Sequence, residues 1–201
     1  MKRYRIHRLA RVHFLGAAVA PLILIGSLAI STGIFVRPAA AFTGNGVANL
    51  ALANLGENYC STNSLGGTGF ENSCSAQEWC ADFAKWVWAN EGAGDPGTLT
   101  AAAGSFYVYG QDYETLSDTP AVGDAVVFNY GYEGAGTAQH VAIVVAVNGS
   151  QVTSVGGDEG SGSTTQTTVE EDTYNGAIGY SSYWGMDISG YVAPVGESSA
   201  P

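Results

Sequence analysis

Apolar and polar positions change their spacing several times along the 201 residues. Residues 14–36 carry no charge and are dominated by Leu, Ile, Ala, Val and Gly. Lys2, Arg3, Arg5, Arg8 and Arg11 precede that run, and Arg37-Pro38-Ala39-Ala40-Ala41 follows it. A basic head, an apolar stretch and small residues at the end predict an export signal over 1–41. The run is also long enough to act, uncleaved, as a membrane anchor. Beyond it, Val47 to Leu55 reads as a short helix stopped by Gly56. Ser75-Ala-Gln-Glu78 fits a capping box and predicts a helix to about Asn90, before the stop at Gly92. On that helix Glu78, Asp82 and Lys85 share one stripe, while Cys80 lies on another side with Ala84 and Val87. Leu99 to Tyr109 predicts a third helix, weakened by Gly104.

From Pro120 onward the period becomes that of strands. Asp124 to Tyr130 is β-branched and aromatic, and His140 to Val147 is apolar nearly throughout, as a strand covered on both faces would be. Asn148-Gly149 predicts a tight hairpin that returns along Gln151 to Val155. Gly160 to Thr168 reads as an exposed loop or irregular edge, and Ile188 to Val195 as a last strand. No internal repeat is present. Helices first and strands later, with short connections, predict an α+β domain over 42–195 with an antiparallel sheet, followed by a tail at 196–201.

Charge narrows the partners. Residues 42–201 hold one basic side chain, Lys85, against all 18 acidic ones, a net of −17. Such a surface repels phosphate backbones, so nucleic acid is excluded, and a membrane is a partner only if the signal stays uncleaved. The acidic balance itself is the ordinary character of a soluble exported domain.

The cysteines are Cys60, Cys74 and Cys80, an odd number in an exported segment. Cys60 and Cys74 flank a Gly/Ser/Asn-rich loop able to close, and that bond would add about 3 kcal/mol in the chain-entropy model. Cys80 is then left as a free thiol. His7 and His13 depart with the signal, so His140 is the one histidine of the mature domain. A two-residue turn at 148–149 places His140 opposite Gly157; a three-residue turn with a bulge places it opposite Asp158. In both registers Asp158 lies within one residue of the position facing His140. A thiol, an imidazole and a facing carboxylate form a nucleophile, a base and an orienting group. Singly, each has an ordinary reading: a core thiol, a hydrogen-bonded histidine, a solvated turn carboxylate. Their convergence favours chemistry.

The stretch QEWCADFAKWVW, Gln77 to Trp88, resembles the nucleophile segment of CHAP domains, the cysteine- and histidine-dependent amidohydrolases/peptidases of bacterial cell walls, papain-like and related to NlpC-type peptidases. GTLTAAAGSFYVYG, TPAVGDAVVFN, HVAIV and ISGYVAP match in order downstream. The resemblance implies a papain-like fold with Cys80 as nucleophile and His140 as base. Many members have Glu-Gly-Asn where this chain has Gly156-Gly157-Asp158, so the third role is expected to fall to Asp158. Some members bind calcium through Asp residues ahead of the cysteine; the loop 61–73 holds only Glu71, so neither a metal nor any other cofactor is expected. An oxyanion donor at the Cys80 amide requires a helix that starts near Trp79-Cys80, which conflicts with a capping box at Ser75.

The resemblance thus implies a secreted, monomeric peptidoglycan hydrolase, either amidase or endopeptidase, acting on the wall or its stem peptides. A non-catalytic wall- or partner-binding module on the same fold, and a toxin or transamidase using the same triad, are the competing expectations. Trp79, Tyr183 and Trp184 are candidate groove walls.

Overall fold

Thr43 opens the first helix for a local reason: its hydroxyl accepts from the Gly46 amide at 3.1 Å, satisfying one of the N–H groups that every helix start leaves without a partner. The computed structural model describes residues 43–70, 74–93, 96–181 and 184–196. The expected export segment 1–41, Glu71, Tyr183 and tail residues 197–201 lie outside them. Helix α1 covers Gly44–Leu52, α2 covers Cys80–Asn90, and α3 covers Gly104–Asp112, with a 3-10 turn at Pro96–Thr98 between the last two. Gly104, read as a weakness inside α3, instead begins it. A Cβ there would lie 2.0 Å from the Gly136 carbonyl oxygen, so only glycine allows that approach.

The strands are β1 (Leu116–Ser117), β2 (Ala125–Phe128), β3 (His140–Asn148), β4 (Gln151–Glu159), β5 (Thr168–Asn175) and β6 (Ile188–Val192). They form one sheet in the order β1-β6-β2-β3-β4-β5, antiparallel at every step. The helices pack on one face, where Val127, Val141, Ile143, Val155 and Val192 meet Phe83, Val87, Trp88 and Phe106. Val126, Phe128, Ala142, Val144, Val152, Tyr174 and Tyr191 form a second apolar cluster with Ile188. Side chains of β2 and β3 alternate between the two clusters, which is why those strands are apolar at successive positions.

Two details of the sheet decide the site. The hairpin turns on Gly149-Ser150, with Asn148 paired to Gln151, and a bulge between Val144 and Ala146 sets Ile143 opposite Val155. Prolonged by three residues, that register brings His140 level with Asp158, the second of the two expected arrangements. Strand β5, which the sequence reading left out, lies along β4 at the sheet edge and introduces a further irregularity between Gly156 and Glu159. Its Glu170, Glu171 and Asp172 obscured the strand pattern, yet charge on an edge strand is a common guard against pairing with other chains.

Candidate active site

Helix α2 begins at Cys80, with Trp79 as its N-cap residue, not after Ser75. The expected capping box is therefore corrected: Gln77 N–H bonds the Ser75 carbonyl at 2.9 Å, making Ser-Ala-Gln-Glu a separate turn. Other groups tie the helix start. The Trp79 amide donates to Asp158 Oδ2 at 3.3 Å, and Gln77 Nε2 donates to Asp82 Oδ2, in the first turn, at 2.9 Å. The first backbone bond of the helix runs from Phe83 N–H to the Trp79 carbonyl, at 3.0 Å. The Cys80 amide is thus one of the N–H groups at a helix start that have no intrahelical acceptor, and it points with the positive end of the helix.

Cys60 and Cys74 form a disulfide, and Cys80 is free and 6% exposed. His140, the first residue of β3, pairs with Phe128 of β2. Its Nε2 lies 3.1 Å from Glu159 Oε1, with both side chains buried. The Cys80 side chain stands near enough to the ring to act on its charge. With Nε2 engaged by Glu159, Nδ1 is the ring nitrogen left for the thiol. Burial alone would push the imidazole below its ordinary value. The Cys80 sulfur beside it and the Glu159 carboxylate outweigh that and hold it well above.

The structure therefore brings Cys80 and His140 together as expected and sets Glu159, not Asp158, on the ring. Asp158 has a positive φ of 61°, and the bulge it occupies adds one residue to β4 relative to β5. An added residue inverts the in-and-out alternation beyond it. Asp158 accordingly turns to the start of α2, where it accepts from Trp79 N–H and, at 2.6 Å, from the Thr167 hydroxyl. Burial raises its carboxyl above the usual range, aided by Glu78 and opposed by Thr167, Trp79 N–H and His140. The signal for Glu159 was present in the adjacent carboxylate and in Gly156-Gly157, but no residue pattern announced the bulge.

The two glycines make room on opposite sides. A Cβ on Gly156 would stand 1.9 Å from Glu159 Oε1 and 3.0 Å from His140 Nε2. Glu159 therefore fills the place that a side chain at 156 would take. A Cβ on Gly157 would fall 2.5 Å from the Trp79 ring and 2.6 Å from Phe83 Cβ. Without a side chain at 157 strand β4 can approach α2 this closely, and without one at 156 the Glu159 carboxylate can reach the His140 ring.

Trp79 is core, not groove wall. It is 2% exposed, stacks on Phe70, and its indole N–H reaches the Thr164 carbonyl and the Thr167 hydroxyl at 3.3 and 3.2 Å. Trp184, 47% exposed, does line a cleft of about 210 Å³, together with Glu78, His140, Asp158 and Met186. A neighbouring cleft of about 200 Å³ runs past Gln139, Tyr132 and Glu133 and shares Glu78. Among the described residues, no group of histidine, cysteine and acidic side chains is placed to hold a metal ion.

A family model described as CHAP domain matches residues 72–158, the span from just before Cys74 to Asp158. The α+β architecture with its antiparallel sheet is papain-like, as CHAP domains are. No curated protein matches the chain. Among solved structures, "The crystal structure of Ly7917" is similar at 19% identity and a TM-score of 0.47, covering 77% of this chain and 63% of that one. The chain thus spans a little under two thirds of that protein's length.

Proposed function

The chain carries a CHAP domain over residues 72–158, and on that premise we propose that it is a secreted cysteine-dependent hydrolase that cleaves an amide bond of peptidoglycan. The observation that carries the reading is His140, hydrogen-bonded to Glu159 and set beside Cys80, at the start of a helix whose first amide is the nucleophile's own. The disulfide and the export-like residues 1–41 support delivery outside the cytoplasm.

His140 Nδ1 takes the Cys80 proton, and the sulfur attacks the carbonyl carbon of the scissile amide. The oxygen becomes an oxyanion, for which the Cys80 N–H is a donor at the positive end of α2. His140 then gives its proton to the amide nitrogen, the C–N bond breaks, and the amine leaves a thioester behind. Water enters, His140 removes its proton, and hydroxide addition followed by C–S cleavage frees the acid and restores the thiol. Throughout, Glu159 accepts from Nε2–H and so keeps the ring in the tautomer and orientation that face Cys80. Asp158, with Thr167, secures the helix start.

The bond is the muramoyl–L-alanine amide or one within the stem or cross-bridge peptides. The test is digestion of purified peptidoglycan by the wild type and by Cys80→Ala, with mass analysis of the new amino termini. Release by the wild type alone supports the reading, and the terminus names the bond. Equal release by both proteins ends it.

A further inference from the structure

Gln139 stands immediately before His140 and is held by two neighbours. Its backbone N–H donates to the Phe128 carbonyl at 3.1 Å, and its side-chain Oε1 accepts from Asn129 Nδ2. Asn129 is itself fixed. Its Oδ1 accepts from the Asp187 N–H at 2.7 Å, and its own N–H donates to the Asp187 carbonyl at 2.8 Å. Its φ of 50° is a left-handed conformation that asparagine tolerates better than most side chains. A carboxamide has one end that accepts and one that donates. With Oδ1 engaged by a backbone N–H, Asn129 turns its NH2 group to Gln139. Gln139 answers with Oε1, so its Nε2 is the end left over.

That amide lines the cleft of about 200 Å³ that shares Glu78 with the cleft at His140. The other polar side chains of its lining are Glu78, Tyr132, Glu133 and Thr137. Thr137 already donates its hydroxyl proton to the Gly134 carbonyl at 2.8 Å, and the carboxylates only accept. Gln139 Nε2 and the Tyr132 hydroxyl are therefore the side-chain donors that this cleft offers. A carboxylate and a neutral carbonyl both accept, and charge decides between them. Glu78 and Glu133 line this cleft, Glu78 and Asp158 the adjoining one, and no lysine or arginine lines either. A substrate carboxylate is repelled there; an amide carbonyl is not.

We propose that Gln139 is a substrate-binding residue whose Nε2–H donates to a neutral amide carbonyl of the stem peptide. The protein thereby selects stem peptides whose carboxyl groups near the scissile bond are carboxamides or peptide linkages over those carrying free carboxylates. Asn129, which does not line the cleft, is the positioning residue that keeps the donor end of Gln139 free. The role rests on the hydrolase reading.

The test is peptide binding to the full chain bearing Cys80→Ala, which binds without turnover. The probe is a synthetic muramoyl tetrapeptide in two forms, with its free carboxyls ionised or converted to carboxamides. Calorimetry gives the affinity, nuclear magnetic resonance follows the Gln139 side-chain NH2 group, and far-UV circular dichroism is the folding control. The amidated form is expected to bind about tenfold more tightly and to shift that NH2 signal. Gln139→Met keeps the length but not the donor, and is expected to lose about tenfold in affinity for the amidated form. Asn129→Asp is expected to lose as much: aspartate still accepts from the Asp187 N–H but cannot donate, so Gln139 turns its NH2 group to it. Glu133→Gln is expected to narrow the preference without weakening the amidated form. Unchanged affinity for the amidated form in Gln139→Met, or tighter binding of the ionised form by the parent, overturns the proposal. Binding that depends on Gln139 in a protein that digests no wall sinks the hydrolase reading and leaves Gln139 its role; digestion by the wild type with no effect of Gln139→Met on binding does the reverse.

Discussion

Glu159 Oε1 lies 3.1 Å from His140 Nε2, with the two side chains 2% and 9% exposed. The contact is sealed from bulk water, where a charge-assisted hydrogen bond is strongest. It joins the last residue of β4 to the first of β3, two strands that are neighbours in the sheet.

Exchange at 158 and at 159 separates the two adjacent carboxylates. Glu159→Ala leaves the Nε2 proton without its acceptor and is expected to lower kcat by about 10²- to 10⁴-fold, as removal of an orienting carboxylate does in triads. Asp158→Asn keeps an oxygen for the Trp79 amide and is expected to cost less than about tenfold. The check is steady-state hydrolysis of solubilised peptidoglycan by both variants. A larger loss in Asp158→Asn would return the third role to Asp158.

Gly157→Ala places a methyl group within 2.6 Å of Trp79 and Phe83, atoms of a packed interior rather than a flexible tip. Overpacking of that kind costs about 1–3 kcal/mol. Urea unfolding should show a lowered midpoint with an unchanged slope.

Gly156→Ala acts on chemistry more than on stability. Its methyl group would stand where Glu159 Oε1 now lies, so the carboxylate must move off the ring. Activity is expected to fall toward that of Glu159→Ala, with the thermal midpoint much less affected than in Gly157→Ala. Nuclear magnetic resonance of the His140 ring nitrogens reads the loss of the Nε2 contact directly.

The Cys60–Cys74 disulfide closes a loop just ahead of α2. Replacing both residues by Ala is expected to cost about 3 kcal/mol. Denaturant titration of the double variant, compared with the reduced and oxidised wild type, measures it. Agreement between the double variant and the oxidised wild type would discard this estimate.

Asp172 makes stability depend on pH. Its carboxyl titrates near 6 when folded against 3.8 as an ordinary group, so the folded state binds the proton more tightly. The stabilisation is complete below about pH 4 and is lost as pH rises through about 6. Asp172→Asn removes the loss: its melting temperature should match the wild type in acid and exceed it in mild alkali. Because Asp172 is only partly buried, screening holds the gain to about 1 kcal/mol or less. A variant that melts lower than the wild type in mild alkali contradicts the sign.

Sequence by itself determined the class of the fold, the free thiol and the histidine that stands beside it. Consecutive apolar positions marked β2, β3 and β6 because both faces of those strands are buried over most of their length, and an odd cysteine beside a closable loop left Cys80 unpaired. These features depend on burial and local chain closure, which residue types report directly. The tertiary structure decided three things. It began α2 at Cys80, because the Trp79 amide is held from outside by Asp158, a residue 79 positions away. It revealed β5, whose acidic residues conceal a strand that pairs along one edge only. Above all it chose Glu159 over Asp158. A pairing register can be counted along a hairpin, but a single left-handed residue in a bulge inverts which side chain faces the histidine. That conformation is selected by what the bulge gains in packing against α2 and β5, and no one of these segments encodes it alone.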